Sequence, residues 1–222
     1  MFNLYYLFVY CFVDCYVIVV CFIADDGKCA VFSDSIPARA RKIKCVVRAF
    51  PGATILGLTD RIISGEVGVR GLKRILLHVG INDINNLIDK KKHRADTIFQ
   101  VMDRFKALRD AIRRRNSSAL LLVSSILPRR SRYYVFRPYI QGLNFAIDKW
   151  CAKSKHTVFI PSYQSFLSQG QPIAALYSER DGLHLSKSGV EKLEACFQQA
   201  FSTGYLLTRV MANRVGKLAS LE

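Results

Sequence analysis

From Lys28 onward, short apolar runs alternate with longer stretches in which apolar residues return every three or four positions. This is the pattern of a parallel sheet joined by crossover helices, because buried strands are apolar throughout while the helices covering them are apolar on one side. The runs predict strands at Cys29–Phe32, Cys45–Phe50, Arg74–Val79, Leu120–Ile126 and Thr157–Ile160. Over Arg94–Arg115 the apolar set Ile98, Val101, Met102, Phe105, Leu108 and Ile112 has helical spacing, with Arg104, Lys106, Arg109 and Arg113 mostly on the opposite face. A second helix is expected in the Arg137–Lys155 region through Ile140, Leu143, Ile147 and Trp150. A third follows Ser188, whose spacing to Glu191 is that of a capping box, with Val190, Leu193, Phe197 and Phe201 as its buried stripe.

Ahead of this pattern, residues 1–23 are almost continuously apolar and long enough to cross a bilayer. Asp14 within the stretch, the lack of Lys or Arg before it and the lack of a small-x-small cleavage site before Asp25 argue against an anchor or a signal peptide. An extension or an extra buried element is the alternative. The expected organisation is an apolar segment at 1–23, one domain at 24–204 and a tail at 205–222 beyond Gly204. A membrane is an expected partner only through residues 1–23. Insertion would leave the Lys- and Arg-rich remainder on the cytosolic side, and otherwise a cytoplasmic location is expected.

Composition narrows the picture. The 222 residues suit one domain, and with half of them hydrophobic a sizeable core can be buried, which excludes a largely disordered chain. Lys and Arg number 33 against 17 Asp and Glu, a formal net charge of +16 that favours contact with anionic partners. The seven cysteines are odd in number and contain no C-x-x-C pair, so neither a zinc site nor a disulfide framework is expected, and a reducing compartment is the simpler reading.

Three separated stretches carry candidate chemistry: Phe32-Ser33-Asp34-Ser35, His78-Val79-Gly80-Ile81-Asn82-Asp83 and Asp181-Gly182-Leu183-His184. All fall just after a predicted strand or just before a predicted helix, and parallel sheets bind ligands at the carboxyl ends of their strands. Ser35, followed by Pro37, suits a nucleophile at a helix start, where terminal amides favour negative charge. Asp181 and His184, three residues apart, can face one side, the carboxylate orienting an imidazole that acts as general base and then acid. Asn82 through its side chain, and Gly52 and Ser35 through their backbone N–H groups, are candidate oxyanion donors. Each element also has an ordinary role: Ser35 as a helix cap, Asp181 and His184 as a cap and a surface histidine, Pro51-Gly52 and Asn82-Asp83 as turns. His78 reads as a packed strand histidine, His93 carries no clear signal, and His156 is expected to face solvent. No metal-ligand spacing and no phosphate-binding glycine loop appears, so no cofactor is expected.

In that order these blocks resemble the SGNH (GDSL-like) hydrolase superfamily over roughly residues 28–203. The resemblance implies a three-layer α/β/α sandwich with a five-stranded parallel sheet, flavodoxin-like. It also implies a serine esterase or acyl hydrolase acting on an ester substrate. On that likeness Ser35 is the nucleophile, Gly52 belongs to the second block, Gly80 and Asn82 to the third, and Asp181 and His184 to the last, with Asp34 and Asp83 as supporting neighbours. More narrowly, FSDSIP, FPGAT, LHVGIND and DGLHLS resemble the esterase-like domains associated with retrotransposons in animal genomes. Ser33 departs from the family pattern, standing where the first block usually has glycine, and its β-carbon would crowd the nucleophile turn. The G-x-S-x-G elbow of the α/β-hydrolases is absent.

Basic clusters at Arg39–Lys44, Lys90–Arg94 and Arg113–Arg115, and the run from Arg129 to Tyr139 in which cations and aromatic rings interleave, set up a second possibility. A surface of this kind can hold single-stranded nucleic acid by phosphate contact and stacking, and it can equally be a solvated rim. The alternative to an esterase is then a weakly active or inactive hydrolase-like domain of retroelement origin, serving as an RNA-binding or interaction module.

Overall fold

The computed structural model describes residues 29–34, 45–90 and 93–201. The apolar segment 1–23, Ser35, the basic cluster Arg39–Lys44 and the tail 205–222 lie outside the described residues.

Five parallel strands form one sheet in the order β2-β1-β3-β4-β5, with β1 Cys29–Ser33, β2 Val46–Ala49, β3 Arg74–His78, β4 Leu120–Ser124 and β5 Thr157–Ile160. Val31 pairs with Val47 on one side and Leu76 on the other, and Leu76 with Leu122, which pairs with Val158. Because successive side chains point to opposite faces, β1, β3, β4 and β5 each feed two cores, while β2 is a partly exposed edge. Ala30, Phe32, Ile75, Leu77, Leu121, Val123 and Phe159 pack under α1 (Ile55–Ser64), α3 (Arg94–Arg115) and α4 (Tyr133–Lys153). Val31, Leu76, Leu122, Val158 and Ile160 pack under α5 (Lys187–Phe201), through Val190, Leu193, Phe197 and Phe201. Burial on both faces is why β1, β3, β4 and β5 read as apolar runs, and the result is a three-layer α/β/α sandwich.

The helix termini correct several expectations. α5 begins one residue before Ser188, and the capping side chain is Ser186, whose Oγ accepts the Gly189 N–H at 3.2 Å. Ser188 instead donates to the Ala175 carbonyl at 2.9 Å. α4 begins at Tyr133, four residues ahead of the expected start, and carries Pro138 in its second turn. Proline has no N–H to donate one turn back, a loss the helix tolerates because Phe136, Ile140, Leu143 and Ile147 are buried along its length. A further helix, α2 (Ile81–Asp89), follows β3 directly.

The cysteine expectation is also corrected, since Cys29 and Cys45 form a disulfide with their Cα atoms 5.0 Å apart. The reason is the sheet register: Ala30 pairs with Val46, so the preceding residues of the two neighbouring strands come side by side. Cys151 and Cys196 are not part of a disulfide. Among the described residues no helix is long and apolar enough to cross a membrane.

Candidate active site

All five strands point the same way, so their carboxyl ends and the loops leaving them gather at one edge of the sheet. There the Phe50 N–H donates to the Ser33 carbonyl at 2.8 Å and the Asp34 N–H to the His78 carbonyl at 3.3 Å, tying the exits of β2, β1 and β3 together. Asp34 is buried and lines a small cleft with His78, Val79, Ile81, Leu127 and Leu183. This cleft joins the chain entering Ser35 to the turn bearing His184, although Ser35 itself lies outside the described residues. Ser33, in the place of the usual glycine, is buried at the end of β1 without left-handed backbone, and its hydroxyl donates to the Asp34 carbonyl at 3.0 Å. β1 therefore makes no demand for glycine there.

The second half of the site is a turn held from within. Asp181 Oδ1 accepts the N–H groups of Leu183 at 2.8 Å and His184 at 2.9 Å, while Oδ2 lies 2.6 Å from His184 Nδ1. Desolvation pushes the Asp181 carboxyl upward, but the Leu183 N–H and then the His184 side chain and N–H outweigh it and hold the group down at about 2. A carboxylate that stays ionised receives the Nδ1 proton, which leaves Nε2 as the nitrogen for proton transfer. The turn is fixed from outside by the Arg130 N–H and Ser131 N–H, which donate to the Gly182 carbonyl at 2.8 and 3.2 Å. Gly182 has φ +60, and a Cβ there would meet the Ser131 nitrogen at 3.0 Å, so both conformation and space call for glycine.

Asn82 sits in the first turn of α2 and spends one amide hydrogen on the Ala53 carbonyl at 3.0 Å. That bond joins it to the loop carrying Gly52, which is exposed and has φ +75. Gly80, with φ +123, opens α2, and an added Cβ would come within 2.8 Å of Ile126 Cδ1. Asp83 is fully buried, its Oδ2 accepting the Ile55 N–H at 2.9 Å and its Oδ1 an Arg104 Nη1 bond at 2.7 Å. Burial pushes this carboxyl up, against the downward pull of those two bonds. Its work is structural: it holds the first residue of α1, just after the Gly52 loop, against α2 and α3.

The other histidines take structural places. His78 is a packed strand histidine, buried with Nδ1 3.0 Å from Ser124 Oγ, and burial lowers it to about 4. It is neutral at ordinary pH, under the cleft. His93 caps α3 by accepting the Ala95 N–H, and His156 is exposed with φ +54.

Residues of the β4–α4 loop complete the cleft and had no motif to mark them. Ile126, Leu127 and Pro128 line it, and the loop is pinned by Asn144, whose amide accepts the Ile126 N–H at 2.8 Å and donates to its carbonyl at 2.9 Å. The available signal was position, since a loop leaving the carboxyl end of a central strand borders the ligand site in this class of fold. The basic clusters are partly absorbed by the fold: Arg113 donates to the carbonyls of Ser117, Ala119 and His156, and Arg115 to that of Ile63.

The family model described as GDSL-like Lipase/Acylhydrolase matches residues 23–192. No curated relative matches in sequence. Among solved structures, a GDSL-like lipase from Bacteroides thetaiotaomicron superposes with a TM-score of 0.60 at 19% identity, over 82% of this chain and 91% of that one. A lipase from a goat rumen metagenome gives 0.62 at 13% identity, over 78% and 97%. A carbohydrate esterase family 3 protein from Talaromyces cellulolyticus gives 0.57 at 13%, over 76% and 93%. At these identities the likeness is one of fold.

Proposed function

Because this chain belongs to the GDSL-like lipase/acylhydrolase family, we propose that it is a serine esterase whose triad is Ser35, His184 and Asp181. Ser35 Oγ attacks the ester carbonyl as His184 Nε2 takes its proton, and Asp181 holds the ring and steadies the imidazolium that forms. The carbonyl oxygen becomes an oxyanion received by the N–H groups of Ser35 and Gly52 and by the second amide hydrogen of Asn82. His184 then protonates the leaving alcohol, and water attacks the acyl enzyme with the same imidazole as base.

The observation that carries this reading is the shared cleft, in which Asp34, next to Ser35, and Leu183, next to His184, line one cavity. Two further features support it: Asp181 and His184 are already paired, and Asn82 and the Gly52 loop are already joined. The narrower kinship with retrotransposon-associated esterase-like domains rests on the four sequence blocks and belongs to the same proposal. A fluorophosphonate probe tests it: wild-type protein is expected to be labelled and Ser35→Ala to be silent. Labelling that survives Ser35→Ala, or a folded wild type that takes no label and cleaves no ester, would overturn it.

A further inference from the structure

The run from Arg129 to Tyr139 is sorted by the phase of α4. Tyr133 and Phe136 turn inward, at 5% and 1% exposure, while Tyr134 stands out at 72%. A continuous stacking platform for bases is thereby lost. In its place Arg130, Arg132, Tyr134 and Val135 border a groove closed on the far side by Gln171 and Pro172.

The groove is equipped for an anion. Gln171 Nε2 donates to the Tyr134 hydroxyl oxygen at 3.1 Å, which leaves the hydroxyl's own proton to be donated outward. The guanidinium of Arg132 lies 5.3 Å from the Phe136 ring centre, steadied by the ring's π face. Among the described residues neither Arg130 nor Arg132 joins an ion pair. Two cations of one groove, outside any ion pair among the described residues and beside a phenol donor, suit the chemistry of a carboxylate or a phosphate.

Its location says which part of a substrate it meets. The Arg130 N–H donates to the Gly182 carbonyl, and Arg130 Cβ lies 3.4 Å from where a Cβ on Gly182 would be, so the groove abuts the turn from Asp181 to His184. In the acyl-transfer reading above, on which this inference rests, the oxyanion faces Asn82 and Gly52 while the leaving oxygen faces the imidazole that protonates it. The groove borders the turn that carries that imidazole, which assigns it to the leaving group's side. We propose that the preferred substrates are esters whose alcohol portion carries a carboxylate or phosphate, held by Arg130, Arg132 and the Tyr134 hydroxyl.

Three acetyl esters test this: 4-acetoxybenzoate, 4-acetoxyphenyl phosphate and the neutral methyl 4-acetoxybenzoate, each enzymatic kcat/KM divided by that ester's rate with hydroxide. At least one anionic ester is expected to be preferred over the neutral one by tenfold or more, and its identity tells carboxylate from phosphate. Added salt is expected to erode the preference, a check that needs no substitution. In Arg130→Ala/Arg132→Ala the ratio should collapse toward one, and Arg130→Lys/Arg132→Lys should keep part of it. Equal turnover of the three esters, or a ratio unmoved by the double alanine substitution in folded protein, overturns the proposal while the esterase reading stands. The absence of any Ser35-dependent turnover overturns both. If the alanine variant loses retention of a single-stranded oligonucleotide with ester selectivity untouched, the groove is a nucleic-acid contact and the proposal falls.

Discussion

Asp181 grips His184 at two points, Oδ2 lying 2.6 Å from Nδ1 while Oδ1 accepts the histidine's own backbone N–H at 2.9 Å. One carboxylate thus sets both the position of the residue and the tautomer of its ring. Asp181→Asn keeps the shape but offers an amide that can present a donor to Nδ1. Ester hydrolysis should lose about 10⁴ in kcat, the scale on which a wrong tautomer acts in serine hydrolases, with KM changed only a few-fold. A loss below tenfold would remove Asp181 from the triad.

The same contact fixes a pH signature. Asp181 titrates at about 2 in the folded chain, below the ordinary carboxylate value of about 3.9 in an unfolded one, so the unfolded state binds the proton first as pH falls. The stability the contact supplies is fully present above the unfolded value and drains away as pH drops through the folded one. The stability difference between wild type and Asp181→Asn should therefore shrink as pH falls from about 5 toward 2. Denaturant titrations across that window check it; a difference that grows as pH falls below 5 would contradict the assignment.

For Asn82, the expected loss is one of transition-state binding. Asn82→Ala should lower kcat by about 10² to 10³ with little change in KM, because the oxyanion exists only after attack. Steady-state kinetics decides, and an effect confined to KM would make Asn82 a residue that binds the ground state.

Asp83 is predicted to matter to the fold. Asp83→Ala strands the buried Ile55 N–H, at a cost of about 1–3 kcal/mol, and leaves the half-buried Arg104 guanidinium without its 2.7 Å partner. Urea unfolding measures it. A cost under about 1 kcal/mol would mean that water replaces the carboxylate freely.

The Cys29–Cys45 bridge spans a sequence separation of 16 that includes the Ser35 segment. Closing a loop near this length stabilises by about 3 kcal/mol through the unfolded chain. Reduction, or Cys29→Ser/Cys45→Ser, should lower stability by that order in urea titration, and peptide mapping of unreduced protein should recover the two cysteines linked.

Burial pattern, capping chemistry and spacing did not carry equal information. Thr157–Ile160 and Arg94–Arg115 coincide with their expected bounds because both the apolar pattern and its polar boundaries are local. The amino end of α4 was obscured by Pro138, ordinarily a first-turn residue, and only packing of Tyr133 and Phe136 inside the protein extends the helix past it. Ser186 and Ser188 are equal as capping side chains by composition, and the choice between them is made by the Ala175 carbonyl that engages the second. The His156 carbonyl that Arg113 engages and the Ile63 carbonyl that Arg115 engages are distant in sequence, so these side chains looked like free surface charge until the chain was folded.

What the sequence determined by itself was the alternation of strands and helices and the order of the site blocks, because side-chain periodicity and backbone chemistry act over a few residues. Tertiary structure alone decided the pairing of Cys29 with Cys45, the meeting of Asp34 and Leu183 at one cleft, and the grouping of Arg130 and Arg132 beside the Asp181 turn. Those depend on sheet register and on which loops share an edge. Such relations arise only when residues far apart in the chain are brought together by burial of the two cores.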